Sequence, residues 1–378
     1  MNDYTTEEMF IIETARKFAQ KRLALISSLI DEEGQWHADT IREMGEIGLM
    51  GTIIPEKYGG CFQSYRAYYG AIKEIASVSG SHALTLLSHS FCAHLITINA
   101  TEEQKESYLP KMSLGKWLGA VAMTEPNAGS DLSQLKTKAV EQDGIFYLTG
   151  RKQFITNGSK AQIVAILAQT SDDKSMFNKS LFLVESSCKG FSAGRSEKKM
   201  GFKGSDTSEI ILDNILLNKN NLLGKKGQAM LTLMNSLQCS RLAMASLALG
   251  IAESAFNEAL RYSRERRQFG KRIGEFESIQ EYLADSATEL ECSRLLLEEM
   301  ARRQDLSNNT LAGSSMAKYY CSEAAVRIVS RALQIFGAYG YICDFTIERL
   351  YREARLCTIV EGTSEILRGI IAKNLIPI

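Results

Sequence analysis

The chain has 378 residues, 45% of them apolar and 23% charged, enough for two or three domains and a sizeable core. Lys plus Arg equals Asp plus Glu, 44 against 44, so no basic field exists to draw in nucleic acid or an acidic membrane. The N-terminal MNDYTTEEMF lacks the basic start and apolar run of a signal peptide, and no apolar run spans a bilayer; a cytoplasmic location is expected.

Residues 4–50 read as two helices. The first carries Phe10, Ile11, Ala15, Phe18, Leu23 and Leu25 on one broad apolar face, the second Ile41, Met44, Ile47 and Leu49. Pro55 and the Gly59–Gly60 pair break the pattern. Helical periodicity resumes over Tyr65–Ser77 and Ala83–Ile98. A short helix over Glu102–Leu109 follows a Thr101 cap and is expected to stop at Pro110. From Trp117 to Leu223, short β-branched and aromatic runs alternate with turn residues, Asp143–Gly144 and Asn157–Gly158 among them, which predicts a small antiparallel sheet. The pattern turns helical again from Gln228. Leu231–Ala255 reads as a long helix buried on more than one side, and two more long helices cover roughly Ser278–Gln304 and Thr310–Phe336. The expected fold is mostly α with a central β domain, divided into 1–116, 117–225 and 226–378.

Chemistry concentrates in CTIVEGTSEILRGIIAKN, Cys357–Asn374. Glu361 stands among Ile359, Val360, Ile366 and Leu367, and apolar surroundings raise a carboxylate's pKa. Such a group suits general-base work on a carbon acid. A solvated loop glutamate is the ordinary alternative. Thr363 or Ser364 can cap the helix that follows. Two further stretches invite a ligand. The turn TEPNAGSD, Thr124–Asp131, offers hydroxyls and amides, and SRERRQFGKRIGEF, Ser263–Phe276, offers guanidinium groups suited to phosphate. The histidines at 82, 89 and 94 fit no ligand spacing, so no metal is expected, and the eight cysteines form no CxxC pair.

Six fragments in order, AMTEPNAGSD, KQFITNG, KKMGFKGSDTSEI, ERRQFGKRIGEF, ALQIFGAYGY and VEGTSEILR, resemble the acyl-CoA dehydrogenases. These are FAD-dependent flavoproteins that introduce an α,β double bond into thioesters. The resemblance implies an N-terminal helical domain, a small antiparallel β domain and a C-terminal four-helix-bundle domain. It implies FAD contacts at Met123, Thr124, Ser130, Phe154, Thr156, Thr363 and Glu365. Thr124 corresponds to a position near the pyrimidine ring, Phe154 to the residue covering one isoalloxazine face and Thr156 to the hydroxyl near N5. Arg266, Gln268, Phe269, Gln334, Gly337 and Ala338 would reach the FAD of an adjacent subunit, which requires a homo-oligomer, a tetramer or a dimer. Ser130, Arg241 and Gly362 would meet substrate.

Glu361 matches the family's usual base. Some branches place the base at the position of Ser240, and serine cannot do that work. The implied reaction removes the α-proton at Glu361 and passes the β-hydride to flavin N5, with electrons leaving to an electron-transfer flavoprotein. Three departures stand out: Gln238 where an acidic residue is frequent, Glu277 for a common Gln, and Ala338 for the second Gly of a pair. The favoured substrate is an acyl-CoA. The alternatives are an acyl group on a carrier protein and, in another reaction class, flavin-dependent monooxygenation on the same fold.

Overall fold

The computed structural model describes residues 4–171, 177–308 and 310–376. Six helices open the chain: α1 (Thr6–Lys21), α2 (Ser27–Glu33), α3 (Ala38–Glu46), α4 (Tyr65–Ala76), α5 (Gly80–Asn99) and α6 (Glu102–Ser113). Capping boxes start α1 at Thr5–Glu8 and α6 at Thr101–Gln104.

Three expectations need correction here. Residues 4–50 form three helices and two 3-10 turns, because the chain leaves helical geometry at Arg22, whose guanidinium is held by both carboxylate oxygens of Glu43. With that break, Leu25 falls in a 3-10 turn and is 77% exposed; Phe10, one position off the Ile11–Ala15–Ala19 stripe, is 72% exposed. Pro110 lies inside α6 rather than ending it. The bond it cannot donate would have gone to the carbonyl of Glu106, an exposed residue on the solvent side, so the helix continues past it.

The central region holds β1 (Gly119–Ala122), β2 (Lys138–Gln142), β3 (Ile145–Thr156), β4 (Ile163–Gln169), β5 (Lys179–Glu185), β6 (Phe191–Ser196), β7 (Thr207–Leu217) and β8 (Leu222–Leu223). The sheet runs β6-β7-β3-β2-β4-β5-β8, antiparallel for the most part, with β1 parallel to β4. Asp143 and Gly144, both at positive φ, make the β2–β3 hairpin. Asn157–Gly158 instead ends β3, and the Asn157 amide ties it to the Thr85 and Gly119 carbonyls. β4 and β5 are buried on both faces. Ile163, Ala165, Leu167, Leu181 and Leu183 join the helical core, and their alternates Val164, Ile166, Phe182 and Val184 join the sheet's own core.

The last part comprises α7 (Ala229–Glu265), a short hairpin of β9 (Arg267–Gln268) and β10 (Lys271–Arg272), then α8 (Glu277–Asp305), α9 (Leu311–Phe336), α10 (Thr346–Cys357) and α11 (Ser364–Leu375). α7 is the spine, buried against α4, α5, α8, α9 and α10. Gly250 is what allows α4 so close: a Cβ there would sit 2.4 Å from the carbonyl oxygen of Lys73. No helix among the described residues is long and apolar enough to cross a membrane.

Candidate active site

α10 ends at Cys357 and α11 begins behind Thr363, whose hydroxyl accepts from the amide of Ile366. Between them the backbone turns left-handed at two consecutive residues, Glu361 (φ +56°) and Gly362 (φ +94°). Side chains from two other helices hold this loop. Arg241 Nε of α7 donates to the Glu361 carbonyl at 3.3 Å, and its Nη1 donates to Ser315 Oγ of α9 at 3.1 Å. Lys318 Nζ of α9 donates to the Gly362 carbonyl at 2.7 Å. The Glu361 amide has no partner among the described residues, so it remains a free donor.

Glu361 keeps some exposure as a residue, yet its Oε2 is enclosed and has no hydrogen-bond partner among the described residues. Burial raises its pKa; Ser240, Arg241 and Lys318 pull the other way. Neither Ser240 Oγ nor Glu361 Oε2 completes a hydrogen bond, although Ser240 lies near enough to favour the ionised form. The enclosing walls differ from those expected. Ile359 and Ile366 face solvent, and the groups that sense the carboxylate's charge are Tyr68 of α4 and Cys239 of α7. Arg241, expected at substrate, has its guanidinium engaged by the loop and by Ser315.

A second group of expected residues lies along one end of β3. A β-bulge between Lys152 and Ile155 leaves Phe154 at φ +59° and 58% exposed, off the sheet core where a strand aromatic ordinarily packs. The turn carrying Met123 and Thr124 is pinned alongside, with Gln153 N donating to the Thr124 carbonyl at 2.9 Å. Beneath it, Lys152 Nζ donates to the Met123 carbonyl at 3.1 Å and to Glu125 Oε1 at 2.8 Å. Ser130 lies exposed in the same turn. α5 links this group to the Glu361 loop: Ser88 donates to the Thr156 carbonyl, and two residues on, Ser90 lies beside Tyr68. An exposed aromatic beside hydroxyl-bearing and backbone donors fits a planar ring system with polar edges.

The third group is remote. Arg266 caps the C-terminus of α7, 25 residues beyond Arg241, or about 38 Å of helix. Its guanidinium lies 5.5 Å from the Tyr339 ring, so the β9–β10 hairpin meets the 3-10 turn Gly337–Tyr341. Gln268, Gln334, Gly337 and Ala338 are exposed, and Phe269 is 92% exposed at the hairpin tip. Thr363 is half-buried; Glu365 is exposed in the first turn of α11, its carboxyl held below the usual range by backbone and Thr363 donors. Sequence reasoning missed Lys318, Ser315, Tyr68 and the Glu125–Lys152 pair.

Three family models match in order: "Acyl-CoA dehydrogenase, N-terminal domain" over residues 5–116, "middle domain" over 120–215 and "C-terminal domain" over 228–376. A Bacillus subtilis protein named acyl-CoA dehydrogenase is 39% identical over 373 residues, covering 98% of each chain. The chain belongs to the acyl-CoA dehydrogenase family. Another relative is the 3-(aryl)acrylate reductase of Clostridium sporogenes, 38% identical over 99% of both chains. A solved structure described as an electron transferring flavoprotein of Acidaminococcus fermentans superimposes with a TM-score of 0.97 at 36% identity, covering 100% of this chain and 99% of that one. As a family member the protein is an oxidoreductase acting on CH–CH groups, with FAD as its cofactor.

Proposed function

We propose that the protein interconverts a saturated acyl thioester and its trans-2-enoyl form, with Glu361 as the base that removes the α-proton. Bound FAD supplies the acceptor for the hydride that leaves the β-carbon. Met123, Thr124, Ser130, Phe154 and Thr156 would hold the isoalloxazine end. Glu361 takes the proton on its unpartnered Oε2 while the free Glu361 amide donates to the thioester carbonyl oxygen, stabilising enolate character there. Both groups come from one residue, so the left-handed turn at 361 sets the angle between base and oxyanion donor. The enclosed, unpartnered carboxylate beside a free amide is the observation that carries this reading.

Arg266 and its neighbours lie too far along α7 to serve the same base, which supports a homo-oligomer in which they meet the FAD of another copy. An electron-transfer flavoprotein is the proposed redox partner, supported by the likeness to the Acidaminococcus fermentans structure. Likeness to an acrylate reductase supports operation in either direction, Glu361 then delivering the α-proton.

Anaerobic bleaching of the flavin decides the substrate. One panel holds acyl-CoAs of differing length, the other the same acyl groups on carrier-protein phosphopantetheine. Bleaching by a CoA thioester is expected. Bleaching only by carrier-bound groups would replace the CoA assignment, and no bleaching with either, in a protein that dithionite reduces, would remove the dehydrogenase reading.

A further inference from the structure

The Glu361 loop is fixed in space by two buried cations, and neither belongs to the segment that carries the base. We propose that Lys318 is a positioning residue for proton transfer: with Arg241 it clamps the two successive carbonyls of the base loop and supplies positive charge to the Glu361 carboxylate. This rests on the reading of Glu361 as the base.

The geometry singles out Lys318. Its side chain is fully buried, and among the described residues no carboxylate lies within ion-pair distance of its ammonium. A lysine so placed ordinarily finds a counter-ion or gives way to an apolar residue. Here the ammonium is aimed at a backbone carbonyl, that of Gly362, at 2.7 Å. The residue before Gly362 carries the base, and its own carbonyl is taken by Arg241. Two consecutive left-handed residues, one of them not glycine, are a costly conformation that persists only where surrounding contacts dictate it. Those contacts come largely from α9. Ser315 receives the Arg241 guanidinium, Lys318 one turn on bonds the Gly362 carbonyl, and Glu323 accepts from the Ser364 hydroxyl.

Charge acts with geometry. Around the carboxylate stand Ser240 and Arg241 from α7, Lys318 from α9, and the neutral Tyr68 and Cys239; around the ammonium stand Glu361, Arg241, Glu323 and the Cys357 thiol of α10. Burial favours the protonated form of Glu361, and Ser240 together with the two cations opposes that. Burial also brings Lys318 itself down to about 8, so at neutral pH it is charged with little to spare.

Two variants separate the roles. Lys318→Gln keeps a donor for the Gly362 carbonyl without the charge, and Lys318→Arg keeps the charge. Flavin-bleaching rates are measured from pH 5 to 10 with an acyl-CoA that saturates the wild type. Lys318→Gln is expected to retain FAD and move the acid limb of the rate profile upward by about one unit, a loss of about tenfold in rate below that limb. Lys318→Arg is expected to restore the wild-type limb. The same shift should appear in the infrared carboxyl band that Glu361→Gln abolishes. An acid limb unmoved in Lys318→Gln, with the band unmoved, overturns the proposal and leaves Lys318 a structural staple. Should Lys318→Gln not fold, a wild-type acid limb in Ser315→Ala together with a displaced limb in the charge-retaining Lys318→Arg would likewise overturn it. Unimpaired bleaching in Glu361→Gln would instead remove the base assignment on which it stands.

Discussion

The Lys152 ammonium lies 2.8 Å from Glu125 Oε1, with both side chains withdrawn from solvent beneath the turn that carries Met123 and Thr124. Glu125 also accepts from the amides of Lys136 and Thr137, which keeps it ionised; burial lowers Lys152 to about 8, leaving it charged at neutrality. Lys152→Met strands a buried carboxylate and frees the Met123 carbonyl. A loss of about 3–5 kcal/mol is expected, with lower FAD occupancy on purification. Chemical denaturation and the flavin-to-protein absorbance ratio check it; an unchanged ratio would detach the pair from cofactor binding.

Glu361→Gln keeps the shape of the side chain and removes its basicity. The variant should bind FAD and unfold like the wild type, while its anaerobic bleaching rate falls by about 10²–10⁴. Stopped-flow absorbance is the measurement, and a rate near that of the wild type would place the base elsewhere.

Glu353 of α10 is buried with an unpartnered Oε2, and burial lifts its carboxyl to about 7 despite the nearby Arg349 guanidinium. A carboxyl whose folded pKa is raised holds a proton that the unfolded chain has released, so its contribution is full below about 4.5 and is lost as pH rises through 7. The loss is roughly 3 kcal/mol. Glu353→Gln should therefore gain stability relative to wild type between pH 5 and pH 8. Equal differences in unfolding free energy at the two pH values would show that the group does not titrate in this range.

Gly250→Ala would drive a methyl into the Lys73 carbonyl of α4. Overpacking of this kind costs about 1–3 kcal/mol, and the displaced helix carries Tyr68 on the wall beside Glu361. We expect a lower Tm with full FAD content and slower flavin bleaching. Loss of stability with an unaltered rate would uncouple this crossing from the site.

What the sequence revealed follows from how local each feature is. The Thr363 cap and the Asp143–Gly144 hairpin are legible because each depends on neighbours a few residues away. Lys318 depends on Gly362, 44 positions on, and a lysine ordinarily points to water. One signal was available: Lys318 falls on the stripe of Ser314, Ala317, Cys321 and Ala325 that α9 buries, a core position occupied by a charge. Lys152 was hidden in the same way, since only the bulge in β3 and the fold of the Met123 turn bring it to Glu125. Phe10 and Leu25 misled because apolar type was taken for burial, and Pro110 because one missing amide on a wet face was taken for a stop.

Because Arg241 and Lys318 grip main-chain oxygens, the hydrogen bonds that fix the loop around residue 361 do not depend on which side chain is mounted there. Aspartate, asparagine or glycine, which tolerate a left-handed backbone, could be exchanged at that one position with the neighbouring anchorage left intact. The loop is in effect a socket, and it offers enzyme engineers a place to fit a different acid or nucleophile without rebuilding the protein around it.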